Sequence, residues 1–235
     1  LGNASGGSNM TTVSPPIPIA VVLLGGNTAD VRSLGVLPAD TLVVAADSGV
    51  DIAQQLGLDV HAVVGDMDSI TPTALAALAA LGTEIVRHPV DKNESDAELA
   101  LRFAVKRGAQ RIVLVSGGGG RLDHQLAIFA VMFIDDLRVA HVEARLAGSR
   151  AYAVQDGSSV TLTCNPGDVI GLLPFGGDTH GVTTSGLQWV LSNESLRVAA
   201  SRGISNRAIS DEVTIAVASG RLIVTVDPSD SSEGR

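Results

Sequence analysis

From residue 19 to about residue 144, two spacings of apolar residues alternate along the chain. Short apolar and β-branched runs at 19–24, 41–46, 62–64, 84–87, 111–115 and 138–142 read as strands. Between them, residues 51–56, 73–81, 96–107 and 125–135 carry helical spacing. Strands that are apolar on both faces and alternate with helices predict a mostly parallel sheet covered by helices on both sides. The helix starts are well signalled. Thr71-Pro72 is an N-cap followed by proline at the first helical position. Ser95 with Glu98 three residues later has the spacing of a capping box, and Gly108 follows Lys106 and Arg107 as a C-terminal stop.

After about residue 148 the pattern changes. Short runs at 159–163, 168–173, 188–191, 212–218 and 221–226 are separated by turns such as "NPGD", "PFGGDTHG" and "ASGR". No helical spacing appears, which predicts a small antiparallel sandwich or roll. The expected organisation is an arm at 1–16, an α/β domain at 17–147, a β-sandwich domain at 148–227 and a tail at 228–235, with both termini disordered by composition.

Composition narrows the chemistry only slightly. Asp and Glu outnumber Lys and Arg, 25 to 16, for a net charge of −9. That disfavours a nucleic-acid partner, which needs clustered basic residues, and suits cations. A single cysteine, Cys164, allows no intrachain disulfide and fits a reducing compartment such as the cytoplasm. The longest apolar run, 126–134, falls short of the ~20 residues that span a bilayer. The first sixteen residues lack the basic and apolar regions of a secretory signal.

The candidate chemistry follows the strands, because ligands of open α/β sheets bind beyond the strands' carboxyl ends. The second strand is followed by Asp47, and the third by Asp66 and Asp68. The fourth is followed by Asp91 and Asp96, and the fifth by "SGGGGRLDH" with Arg121, Asp123 and His124. Any one acid would serve as a helix cap. Asp66 and Asp68 are harder to explain that way. In extended backbone they point the same way, and their repulsion would be resolved by a cation, for which Mg²⁺ with its oxygen ligands is suited. Gly65 keeps side-chain bulk out of that turn. The loop Ser116-Gly117-Gly118-Gly119-Gly120 sits where backbone N–H groups can cradle phosphates, with Arg121 as a clamp. It is neither a P-loop nor a dinucleotide fingerprint. A second Gly turn, 24–27, also stands where it can approach a nucleotide. His124 is either a base or ligand or a structural helix-start residue. Trp189, the only tryptophan, is either a sandwich-core aromatic or a stacking face for a flat, cationic ligand.

Taken together, "ADSGVDIAQQLG", "VVGDMDSI", "DKNESDAELAL" and "GGGGRLDHQLA", followed by "GVTTSGLQWVL" and "GISNRA", resemble in order the blocks of the thiamine pyrophosphokinase (thiamine diphosphokinase) family. The resemblance covers nearly the whole chain between its tails. It implies an α/β domain, a β-sandwich and a homodimer with the active site at the subunit interface. It implies transfer of a pyrophosphoryl group from ATP to the thiamine hydroxyl, with Mg²⁺ required. On the matching positions, Asp66, Asp68 and Asp96 would hold Mg²⁺, with Asp47 bordering them. Arg121, Ser116, Gly117, Gly118 and Gly119 would face the ATP phosphates, with Asp123 and His124 beside them. Trp189, Ser205 and Asn206 would line the thiamine pocket. The chain departs from the family pattern at Ser48, Met67, Ser95 and Ile128, the last standing where the family often has Asn. Two other readings remain open: a catalytically silent thiamine or nucleotide sensor on the same fold, and a Mg²⁺-nucleotide transferase with another acceptor alcohol.

Overall fold

The computed structural model describes residues 19–27, 34–119 and 121–229; the arm at 1–16, Gly120 and residues 230–235 of the expected tail lie outside them. The chain runs β1 (Ile19–Leu23), β2 (Leu42–Ala46), α1 (Gly49–Leu56), β3 (Ala62–Gly65), α2 (Pro72–Ala80), β4 (Glu84–Arg87), α3 (Asp96–Lys106), β5 (Arg111–Ser116) and α4 (Leu122–Val131). A 3-10 turn, Asp135–Val139, leads to β6 (His141–Leu146) and β7 (Ser149–Gln155). Then follow β8 (Ser159–Thr163), β9 (Val169–Pro174), β10 (Thr179–Ser185), β11 (Glu194–Leu196), β12 (Asn206–Arg207), β13 (Glu212–Ala216) and β14 (Arg221–Asp227).

Ten strands form one sheet in the order β12-β9-β14-β7-β6-β5-β1-β2-β3-β4. From β4 to β6 every pairing is parallel. Both faces there are covered, as the apolar runs require. Ala100, Leu101 and Ala104 of α3 and Ile128 and Val131 of α4 pack on one face. Ile52 and Ala53 of α1 pack with Val21, Leu23, Val113 and Val115 on the other. The sequence moves outward from β1 to β4, then returns to the other side of β1 with β5. The carboxyl ends of β1 and β5 therefore flank the switch point where such sheets open a crevice.

The sheet does not stop at residue 147. A two-residue turn at Ala147-Gly148 folds β6 back on β7, pairing Leu146 with Ser149. From β7 to β12 the same sheet continues with antiparallel pairings. A second sheet, β11-β10-β13-β8, closes the sandwich over it. The sandwich core joins Val154, Ile170, Leu172, Leu222 and Val224 of the long sheet to Leu162, Val182, Leu196, Val213 and Ile215 of the short one.

Three local expectations change. The strand expected at 138–142 is a 3-10 turn followed by β6, because buried Leu137 anchors the turn and Arg138 turns back to Asp135 at 3.1 Å. The helix expected at 125–135 starts at Leu122 and ends at Val131. Residues 188–191 are a loop. Their N–H groups go to side chains and isolated partners: Leu191 donates to Thr184 Oγ1, Trp189 to Asn206 Oδ1 and Gln188 to the Arg207 carbonyl. Half of the capping box forms. Ser95 accepts from the Glu98 N–H at 3.2 Å, while the Glu98 carboxylate turns to Arg102 at 2.9 Å. Among the described residues no helix is long and apolar enough to cross a membrane.

Candidate active site

Asp47 follows β2 and Asp66 follows β3, so adjacent parallel strands deliver them side by side; the Asp47 N–H donates to the Val64 carbonyl at 3.0 Å. Asp68 joins them by a different route from the one its spacing predicts. The backbone between Asp66 and Asp68 is not extended: Met67 has φ 68°. Its side chain is buried with Ala45, Val63 and Leu75, and that anchor turns the chain. The Asp68 N–H then donates to Asp66 Oδ1 at 3.2 Å. Oxygens of Asp47, Asp66 and Asp68 all lie within 4.8 Å of one another.

Asp96, at the start of α3, is brought in by two contacts. Gly65 separates it from Asp47: a Cβ on Gly65 would stand 3.0 Å from Asp96 Oδ1 and 3.2 Å from Asp47 Cβ. Lys92 reaches from the β4–α3 loop and places its Nζ 2.8 Å from Asp66 Oδ2 and 3.1 Å from Asp96 Oδ1. The first contact is a hydrogen bond. The second is an ion pair that gives Asp96 Oδ1 the ammonium as its partner, whereas Asp47 Oδ1 is buried without a hydrogen-bond donor. Ser69 Oγ donates to Asp47 Oδ2.

Charge is distributed unevenly here. The Lys92 hydrogen bond holds the Asp66 carboxyl below the usual carboxylate range, and Lys92 itself is raised by the same bond. The exposed Asp68 is pushed up, chiefly by the charge of Asp66. Such a group of converging acids, with a buried Asp47 oxygen that has no partner, fits a divalent cation with oxygen ligands. The convergent trio includes Asp47, whereas the sequence places Asp96 in the metal set and Asp47 at its border.

At the switch point the two Gly turns interlock. Ser116 Oγ donates to the Gly25 carbonyl at 3.1 Å and accepts from the Gly118 N–H at 3.2 Å. Asn27 N–H donates to the Gly118 carbonyl at 2.9 Å, and a Cβ on Gly119 would fall 2.2 Å from Asn27 Nδ2. These glycines are accounted for by packing of one turn on the other. Arg121 forms a two-point pair with Asp123, at 2.5 and 3.1 Å. The pair raises Arg121 and lowers Asp123, and both are exposed. His124 is exposed, and its N–H donates to Asp123 Oδ1. Ile128 packs in the core, so the position where the family often has a polar side chain is used for burial here.

Trp189 is not a core residue. Its side chain is 56% exposed beside a cavity of about 610 Å³ lined by Leu172, Trp189, Leu191, Arg202, Ile204 and Asn206. Buried Asn206 fixes the Trp189 peptide, while Ser205, at φ 61°, lies outside the lining. The cavity stands at β9 and the acids at β2. Counting β14, β7, β6, β5, β1 and β2, that is six strand intervals, about 29 Å along the sheet at roughly 4.8 Å each.

Residues 36–140 match the thiamin pyrophosphokinase catalytic domain, and residues 159–222 match the thiamin pyrophosphokinase vitamin B1 binding domain. The chain belongs to the thiamin pyrophosphokinase family. It is 28% identical over 173 residues to thiamine pyrophosphokinase 1 of Oryza sativa subsp. japonica, covering 66% of this chain and 61% of that one. To the thiamine pyrophosphokinase of Bacillus subtilis it is 24% identical over 195 residues, covering 78% and 86%. The chain thus spans about three fifths of the plant relatives' length. Its fold is that of the Bacillus subtilis thiamine pyrophosphokinase crystal structure, with a TM-score of 0.77 at 22% identity over 90% of this chain and 99% of the other. The Candida albicans thiamin pyrophosphokinase structure aligns with a TM-score of 0.73 at 15% identity, covering 90% and 89%. Sequence reasoning placed Asp47, Asp66, Asp68 and Asp96 at one sheet edge, where the structure gathers them, but passed over Lys92, whose signal was its place four residues before Asp96 in "DKNESD".

Proposed function

We propose that the protein transfers the pyrophosphoryl group of ATP to the hydroxyl of thiamine, giving thiamine diphosphate and AMP. The observation that carries this reading is the convergence of Asp47, Asp66 and Asp68 within 4.8 Å, with Asp96 held beside them, in a chain of this family. The hydroxyl oxygen attacks the β-phosphorus and releases its proton to solvent, the bond from that phosphorus to the α–β bridging oxygen breaks, and AMP leaves with that oxygen. Such transfers depend mostly on positioning and charge neutralisation.

Asp66 and Asp68, with Asp47 and Asp96 at their flanks, are the residues that would hold Mg²⁺. When bound, Mg²⁺ supplies charge neutralisation for the phosphoryl oxygens. Arg121 would exchange its exposed partner Asp123 for phosphate oxygens, since a guanidinium fork fits either anion. The Ser116–Gly119 turn, braced by Asn27, would present its backbone to the nucleotide. Trp189 would stack on the cationic thiazolium or the pyrimidine ring, with Asn206 holding it in place. A homodimer completes this reading. Six strand intervals separate the Trp189 cavity from the acids of the same chain, so a second copy would bring its own cavity to them. The lone buried cysteine suits a cytoplasmic setting.

The test is incubation of the full chain with ATP, Mg²⁺ and thiamine, with AMP and thiamine diphosphate as expected products. ATP consumption that ignores thiamine would indicate another acceptor alcohol. Thiamine binding without turnover would indicate a silent sensor.

A further inference from the structure

We propose that Lys92 is a positioning residue that serves as the acid cluster's built-in counter-ion, so that a metal ion enters by displacing an ammonium already in place. The inference rests on the metal reading above and concerns what occupies the acids before the metal does.

Four carboxylates, Asp47, Asp66, Asp68 and Asp96, are gathered at the ends of β2 and β3 and the start of α3. Among the described residues Lys92 is the cation that pairs with them, and it pairs with two at once. Its side chain is 11% exposed, well covered for a lysine, and its ammonium stands between acids from different elements. An exposed ion pair contributes little, but a covered cation shared by two carboxylates offsets a repulsion that would otherwise push the strand ends apart.

A divalent ion and an ammonium seek the same oxygens. The ammonium is a point charge on a flexible four-carbon stem, so it can leave without rearranging the backbone. It neutralises one charge where the metal neutralises two, and it leaves Asp47 Oδ1 unpartnered. The stand-in is therefore adequate for folding and inferior to the metal. It sets a threshold: metal alone must compete with Lys92.

Titration of the nucleotide-free protein with Mn²⁺, read by electron paramagnetic resonance, and with Mg²⁺, read by calorimetry, tests this. Lys92→Met should bind both metals about tenfold more tightly than wild type, the scale on which a neighbouring charge shifts an equilibrium. Lys92→Arg, which keeps the charge, should stay near wild type. A purely structural lysine would instead weaken or leave unchanged the metal affinity of Lys92→Met, and either result overturns the proposal. Should Lys92→Met fold poorly without metal, the wild-type protein gives the answer by nuclear magnetic resonance of lysine Nζ–H groups. The signal of the paired ammonium should vanish on saturation with Mg²⁺, and its persistence overturns the exchange. Asp66→Asn separates the two readings. Metal binding lost in Asp66→Asn but unchanged in Lys92→Met removes the counter-ion alone, whereas no binding in wild type removes the metal site and this inference with it.

Discussion

Asn206 brackets the peptide of Trp189: its Nδ2 donates to the Trp189 carbonyl at 2.8 Å and its Oδ1 accepts from the Trp189 N–H at 3.1 Å. A buried amide thereby fixes an exposed indole on a loop with no ladder of its own. Asn206→Ala should raise the KM for thiamine about tenfold with a smaller effect on kcat, because it loosens binding without touching the reacting atoms. Steady-state kinetics against thiamine and against ATP check this, and an equal rise in both KM values would argue for general unfolding instead.

Trp189→Ala isolates the ring. With the side chain half exposed, stability should change by only about 0.5 kcal/mol in denaturant unfolding. Thiamine affinity should fall. An unchanged KM for thiamine would remove the stacking role.

Asp66→Asn and Asp68→Asn should each lower turnover a hundredfold or more, on the order seen when one charge-stabilising group leaves an active site. Their stabilities should differ. Asp66 carries the Lys92 hydrogen bond and Asp68 does not, so thermal unfolding should show the larger loss in Asp66→Asn.

Gly65→Ala puts a methyl group between Asp47 and Asp96 at a residue with φ 153°. The expected cost is about 1–3 kcal/mol for the backbone alone. Turnover should fall as well, since the new atom stands 3.0 Å from Asp96 Oδ1. Equilibrium unfolding with parallel assays checks both effects.

The Asp66–Lys92 pair sets a pH window. Asp66 is lowered from its ordinary 3.8, so its contribution is present above that value and lost as pH falls through the lower folded value. Lys92 is raised from 10.5, so its contribution is present below that value and lost as pH rises past the folded one. Metal-free protein should be stabilised by the pair between about pH 4 and pH 10. Comparison of wild type with Lys92→Met in urea should show a constant difference across that range that shrinks only below about pH 4 and above about pH 10.

Much of the molecule was legible because it depends on neighbours in the chain. β1 to β5 and α1 to α4 follow from apolar spacing, caps and Gly stops, and the acids after each strand follow from the strand ends. Asp66 and Asp68 stood out for the same reason: like charges one residue apart are a local conflict. Their convergence nevertheless uses the left-handed turn at Met67 rather than a pleat, and that turn exists because Met67 is buried under α2.

What lay beyond local pattern was decided by packing between distant segments. The spacing does not mark β7; the turn at Ala147-Gly148 pairs it with β6 and carries one sheet from the α/β half into the sandwich. Trp189 has an aromatic's bias toward burial, yet Asn206, seventeen residues away, holds its loop at the surface. Lys92 is an ordinary loop lysine until β3 and α3 bring Asp66 and Asp96 to either side of its ammonium. Spacing and capping act over a few residues and can be read along the chain. Charge pairing and burial act through space, and they take effect only once strands and helices have fixed which residues meet.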